Sequence, residues 1–161
     1  MIIYLFSYLA IKRHRTLLLS SVLADDILLT MDMSRISTGA VGERLAAEYL
    51  RKNKYKIVET NYRNRLGEID IIARHPKGHT VFVEVKTLRV ADDLQQREDR
   101  LFPEDHLTPF KLRKLQQLGE LYLMHVKPKN PAWQIDLVAI ELPSGSDIPS
   151  SLRHIEQLER V

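Results

Sequence analysis

Two acidic strand-like runs between Glu68 and Lys86 constrain this chain more than any other stretch. The runs are Glu68-Ile69-Asp70-Ile71-Ile72-Ala73-Arg74 and Thr80-Val81-Phe82-Val83-Glu84-Val85-Lys86, and Pro76-Lys77-Gly78 between them is a hairpin signal. A strand sets residues i and i+2 on one face, so Glu68 shares a face with Asp70, and Glu84 with Lys86. Ile69, Ile71, Val83 and Val85 alternate with them as an apolar face requires. Carboxylates crowded at one end of a small sheet cost free energy unless a cation compensates them. This is the first sign of a metal site.

The 161 residues suit one domain with a modest core, and 44% hydrophobic with 28% charged residues excludes collagen-like and bulk-disordered classes. The chain has no cysteine, which excludes disulfides, thiolate metal sites and cysteine nucleophiles. Net charge is only +3, but its distribution is uneven. Residues 51–65 hold six Lys/Arg against one Glu, residues 111–129 hold five against one, and residues 92–105 hold six acids against two bases.

The first 36 residues form an N-terminal extension unlike the rest. Ten of the first eleven are hydrophobic, Lys12-Arg13-His14-Arg15 follows, and Thr16 to Met31 is mostly apolar. Neither run reaches the roughly 18 apolar residues of a membrane span. The basic residues follow the apolar run, the reverse of a secretory signal, so a cytoplasmic location is expected. An upstream start called in place of Met31 or Met33 is the leading reading. An interfacial membrane helix and a helix packed on the domain stay open beside it.

Residues 37–161 read as the folded domain. Ser37 or Thr38 can cap a helix over 38–53, with Val41, Leu45, Ala46, Tyr49 and Leu50 at amphipathic spacing. Strands are predicted at 55–62, 67–75 and 79–88 as a meander. Residues 89–107 are polar and acidic, and read as a long loop. Thr108-Pro109 caps a second helix through Leu112, Leu115, Leu118, Tyr122 and Val126, in which Gly119 points to close packing on the sheet. Trp133–Leu142 is a further strand, and 150–161 a short terminal helix. Helix, three strands, helix and strand make an α/β domain with a mixed sheet and flanking helices.

Asp70 and Glu84 offer hard oxygen ligands, and the carbonyl of Val85 a third. Mg²⁺, which keeps several waters and binds few carboxylates, fits such a set, as does Mn²⁺. Lys86 beside it can orient a water for phosphodiester hydrolysis. Glu43, bordering the buried side of the first helix, either reaches this edge or complements the helix dipole. Glu68 is either a further ligand or a polar strand start, and the second reading leads. Arg63, Arg65, Lys111, Arg113 and Lys114 are candidate phosphate contacts. His75, His79 and His106 show no ligand spacing and read as surface residues. Tyr55 and Tyr62 either stack on bases or pack in the core, and core packing is the leading reading.

Gly39-x-x-Gly42-Glu43, Asn61-Tyr62-Arg63, Gly67-Glu68-Ile69-Asp70-Ile71-Ile72-Ala73, Phe82-Val83-Glu84-Val85-Lys86-Thr87 and Trp133 to Ile140 together resemble the YraN family. That family is a branch of the restriction-endonuclease-like, PD-(D/E)xK nuclease superfamily and is similar to archaeal Holliday-junction resolvases. The resemblance covers about Thr38 to Leu142. It implies Glu43, Asp70, Glu84 and Lys86 as the active-site set, Mg²⁺ as cofactor, and a homodimer as in related resolvases. Two positions depart from the pattern: Leu88 and then Arg89 where an arginine follows the motif lysine by two, and Gln134 where arginine is usual. The expected function is a Mg²⁺-dependent endonuclease hydrolysing phosphodiester bonds in DNA, including branched or structured DNA, in processing or repair. The alternative is a non-catalytic nucleic-acid-binding or accessory module that keeps the nuclease fold.

Overall fold

A computed structural model of the chain describes residues 38–91 and 100–160. The N-terminal extension, with its proposed start, membrane and packing roles, and the centre of the acidic connector lie outside the described residues. Helix α1 (residues 38–52) is followed by β1 (Lys56–Asn64), β2 (Gly67–Arg74), β3 (Thr80–Val90), a 3-10 turn (Pro103–His106), α2 (Pro109–Val126), β4 (Trp133–Pro143) and β5 (Ser151–Arg160). The five strands form one sheet in sequential order. Neighbours are antiparallel except β3 and β4, which run parallel from Thr80–Trp133 to Val90–Pro143. A parallel pair needs a crossover, and the segment through α2 supplies it. Helix, meander, helix and strand occur in the order expected.

Each helix covers one face of the sheet. Gly42, Ala46 and Leu50, spaced four apart, line the buried stripe of α1, and Ala46, Ala47 and Leu50 pack on Ile71, Ala73, Val81, Val83, Val138 and Ile140. On the other face Leu115, Leu118 and Tyr122 of α2 pack on Ile69, Ile72, Phe82 and Ile135. β4 is buried over ten of its eleven residues, as befits a strand covered on both faces. Two glycines set how near the helices come. A Cβ on Gly42 would overlap Thr87 Oγ1, and one on Gly119 would stand 2.6 Å from the Phe82 ring, so the expected close packing of Gly119 is present.

The caps follow local chemistry. Thr108 accepts a hydrogen bond from Lys111 N at 3.2 Å with Pro109 in the first turn, and Lys127 closes α2 in the left-handed region at φ 47°. Thr38 is already helical, and its hydroxyl accepts from Arg89 Nε at 3.0 Å.

Three expectations are corrected. Residues 151–160 form a strand, not a helix, because the open edge of β4 accepts them as an antiparallel partner. Residues 89–107 are not one loop: Arg89 and Val90 extend β3, and Pro103–His106 is a 3-10 turn. That turn is tied down by a bidentate pair of Arg153 with Glu104, at 3.0 and 2.7 Å. His75 and His79 are half-buried and stacked at 4.3 Å, with His79 Nε2 2.8 Å from Gln134 Oε1, so they are only partly surface residues.

Candidate active site

The site begins where β2 and β3 part. Their paired register runs from Arg74–Thr80 to Ile71–Val83 and stops there. One residue further, Asp70 turns its side chain into the gap, and its Oδ2 accepts from Val85 N at 2.7 Å. The carboxylate thus replaces a ladder partner for a backbone donor that burial would otherwise leave unpaired. Glu84, on the α2 face of β3, is buried. Its Oε1 meets Lys86 Nζ at 2.8 Å, the i, i+2 pair anticipated from strand periodicity, and Lys111 Nζ from α2 stands 3.2 Å from its Oε2. The Lys111 approach makes an ion pair outside hydrogen-bond geometry, so Oε2 is buried with no hydrogen bond.

Burial pushes the Asp70 carboxyl up to about 7, and the neighbouring charge of Glu84 adds to the rise. The Val85 N–H and the Lys111 ammonium work the other way, and Glu43 contributes a smaller upward push. Glu43 therefore lies within electrostatic reach of Asp70. It is held by Asn61 Nδ2, which donates to its Oε2 at 2.8 Å. Asn61 adopts φ 55°, a left-handed conformation that asparagine tolerates better than most residues, within the irregular edge strand β1. Gly42 lets the start of α1 settle against Thr87, one residue beyond Lys86, and carries the adjoining Glu43 to this end of the sheet.

The structure thus brings Glu43, Asp70, Glu84 and Lys86 to one end of the sheet and adds Lys111, which composition marked only as a phosphate contact. Among the described residues, no three acidic or histidine side chains form a set that could hold a metal ion by themselves. A hard cation here would draw on the Asp70 and Glu84 oxygens, and on backbone carbonyls and water for the rest. Oε2 of Glu84, paired with Lys111 but without a hydrogen bond, fits that donor chemistry.

The basic candidates divide. Arg63, Lys111 and Lys114 line a cavity of about 450 Å³ beside the carboxylates. Arg63 pairs with Glu68 at 3.2 Å, both exposed, a contact of about 0–1 kcal/mol that a phosphate can displace. Lys114 Nζ donates to Leu66 O at 3.2 Å. Arg65 and Arg113 are exposed and do not line the cavity. The two departures from the motif pattern are structural. Arg89 binds Thr38, Ser146 O and Asp147, and Gln134 is buried, donating to Asp136 Oδ1 at 2.8 Å. Asp136 also accepts from Gln157 N at 3.0 Å and faces His154 Nε2 at 3.0 Å. Gln134 and Asp136 share the i, i+2 spacing of β4, but nothing local signals that His154 and Gln157 of β5 complete this second polar centre. Tyr55 is buried, and Tyr62 packs edge-on against Tyr122, so both serve the core.

Fold and site together define an α/β protein whose mixed sheet carries a carboxylate–lysine centre where two strands diverge. The chain belongs to Uncharacterised protein family UPF0102, the YraN family of the motif resemblance, and the match spans residues 42–140. A UPF0102 protein of Syntrophomonas wolfei is 38% identical over 118 residues, 73% of this chain and 92% of that one. Another from Caldicellulosiruptor saccharolyticus is 38% identical over 117 residues, covering 72% and 92%. One from Thermotoga neapolitana is 40% identical over 105 residues, covering 65% and 87%. A solved structure titled "Structure of EndoMS-dsDNA2 complex" overlaps 59% of this chain and 34% of that one, with 15% identity and a TM-score of 0.35. No helix among the described residues is long and apolar enough to cross a membrane.

Proposed function

We propose that this protein is a divalent-cation-dependent endonuclease of the restriction-endonuclease-like class that hydrolyses phosphodiester bonds in DNA. The observation that carries the reading is Oε2 of Glu84, a buried carboxylate oxygen without a hydrogen bond, beside an Asp70 whose ionisation is opposed by burial and by Glu84 itself. Like-charged buried carboxylates are costly in isolation and favourable as ligands. Mg²⁺ or Mn²⁺ held by Asp70, Glu84 and the Val85 carbonyl would lower the pKa of a coordinated water and offset charge on the phosphate.

The remaining roles belong to the chain. Lys86 Nζ, fixed by Glu84 Oε1 at 2.8 Å, can orient the attacking water and hold it in line. Lys111, anchored on a capped helix, presents a second positive charge to the transition state. Glu43, steadied by Asn61, can accept a hydrogen bond from a water at the edge of the site. Arg63 and Lys114 take flanking phosphates. A cytoplasmic location and self-association as a homodimer accompany this proposal.

Incubation with branched, flapped and single-stranded DNA in Mg²⁺ or Mn²⁺ tests it. Cleavage should vanish in Asp70→Ala and Lys86→Ala and fall in Glu43→Gln. Cleavage undiminished in the first two would sink the assignment.

A second reading, a binding module without catalysis, is favoured by one observation. Lys86 and Lys111 already neutralise Glu84, so the cluster can be satisfied without a cation. Calorimetric titration with Mn²⁺ separates the two, because equal binding by wild type and Asp70→Ala would leave only the module.

A further inference from the structure

The cavity beside the carboxylates has a property that phosphate binding leaves unused. Phe110, in the first turn of α2, is 64% exposed at its edge. A large aromatic side chain in water forgoes the burial free energy it would gain in a core, about 2–3 kcal/mol. The cavity lining is apolar as well, with Leu66 and Leu118 in its wall. Gly67, at φ 148°, adds backbone without a side chain and sits against Leu118. Cations surround this apolar surface. Lys114 Nζ lies 5.7 Å from the Phe110 ring centre, and Arg63 and Lys111 complete the rim against the single acid Glu68.

We propose that this cavity receives one unpaired nucleobase of a DNA strand, stacked on Phe110, with the adjoining phosphates on Lys114 and Arg63. Three features select that occupant. An aromatic face offers stacking to any base, but a base inside a duplex already has both faces covered, so only an unpaired or extruded base can use it. A volume of about 450 Å³ is on the scale of a small-molecule site and is enough for one nucleotide. The cationic rim complements the polyanionic strand on either side of that base. Lys111 belongs both to the rim and to the Glu84 ion pair, so a base seated here brings a neighbouring phosphate to the carboxylates. The inference deepens the nuclease reading and rests on it: the substrate is DNA with an unpaired nucleotide next to the scissile bond.

Binding in EDTA, followed by fluorescence anisotropy, tests the pocket apart from cleavage. The probes are a duplex with one bulged adenine, the same duplex with an abasic residue at the bulge, and free deoxyadenosine monophosphate as competitor. Wild type should prefer the bulged adenine by about tenfold, the worth of one base stack. Phe110→Ala should erase that ratio, Phe110→Trp should retain it, and Lys114→Met should weaken both probes equally. Phe110 is exposed, so its variants should unfold as wild type does. No preference in wild type, a ratio preserved in Phe110→Ala, or a free nucleotide competing as well as the strand would each overturn the proposal. Preference without cleavage in Mg²⁺ would leave the pocket standing and remove the nuclease. Cleavage without preference would do the reverse.

Discussion

Lys111 Nζ reaches across from α2 to within 3.2 Å of Glu84 Oε2 on β3, and so ties the helix that carries the cationic rim to the strand that carries the site. The pair spans 27 residues of sequence. Lys86 holds the other oxygen of the same carboxylate. One buried anion therefore sets the position of two cations.

Removing one of those cations should be costly but not ruinous. A buried charge that loses its partner costs about 3–5 kcal/mol, and Glu84 would keep Lys86, so Lys111→Met should lower stability by about 2 kcal/mol in urea unfolding. Adding Glu84→Gln to Lys111→Met should restore part of the loss. Two losses that simply add would show that the ion pair contributes nothing to stability.

Asp70 should make the fold less stable as pH rises. Its carboxyl ionises near 3.8 when exposed and at about 7 in the fold. The group's contribution to stability is therefore complete below 3.8, drains away as pH climbs through about 7, and is level above that. Asp70→Asn keeps an acceptor for Val85 N and removes the ionisation. It should be more stable than wild type at pH 8 by on the order of 4 kcal/mol, at about 1.4 kcal/mol per pKa unit, and equal to it near pH 4. Denaturation curves across that range provide the check, and parallel pH profiles for the two proteins would refute it.

A divalent cation should reverse that penalty. Ligand binding to the native state alone adds about 2.7 kcal/mol at a hundredfold excess over Kd. Mn²⁺ should therefore raise the melting temperature of wild type at pH 8 and do little for Asp70→Asn or Glu84→Gln. Equal shifts in all three proteins would point to binding elsewhere.

Gly119→Ala sets two effects against each other. Alanine gains about 1 kcal/mol of helix propensity over glycine, but its Cβ would lie 2.6 Å from Phe82, whose ring is wholly buried. Overpacking costs about 1–3 kcal/mol, so the variant should melt lower than wild type. Phe82→Leu in the same chain should recover part of the loss, and a Gly119→Ala protein that melts higher would show that the ring can yield.

Most elements were legible because their signals are local. α2 announces itself through Thr108-Pro109 and a three- and four-residue rhythm of apolar side chains, and the β2–β3 hairpin through alternation on either side of Pro76-Lys77-Gly78. β5 misleads for a physical reason. Leu152, Ile155 and Leu158 recur every third residue, as on a helix, and the structure reaches that spacing with a bulged strand. Gln157 at φ 59° and the register shift opposite Ile135–Leu137 reverse the alternation, so Leu152 packs on the α1 side and Leu158 on the α2 side. His75 and His79 misled as well, since nothing nearby in the chain reveals that Gln134 will be buried beside them.

The sequence by itself determined which residues share a face of β3, and with it the placement of Glu84 and Lys86 together, because a period of two is a property of the backbone; on β2 that period breaks at Asp70, which leaves Ile69 on the α2 side and Ile71 on the α1 side, against the single face expected. It also pointed to Glu43 at the margin of a helix. Tertiary structure alone decided that β2 and β3 part at Asp70, that Asn61 steadies Glu43, that Lys111 and not Arg113 meets the carboxylate, and that Glu84 Oε2 is buried without a hydrogen bond. Those are contacts between elements far apart in the chain, set by how each helix seats on the sheet, and no local pattern encodes them.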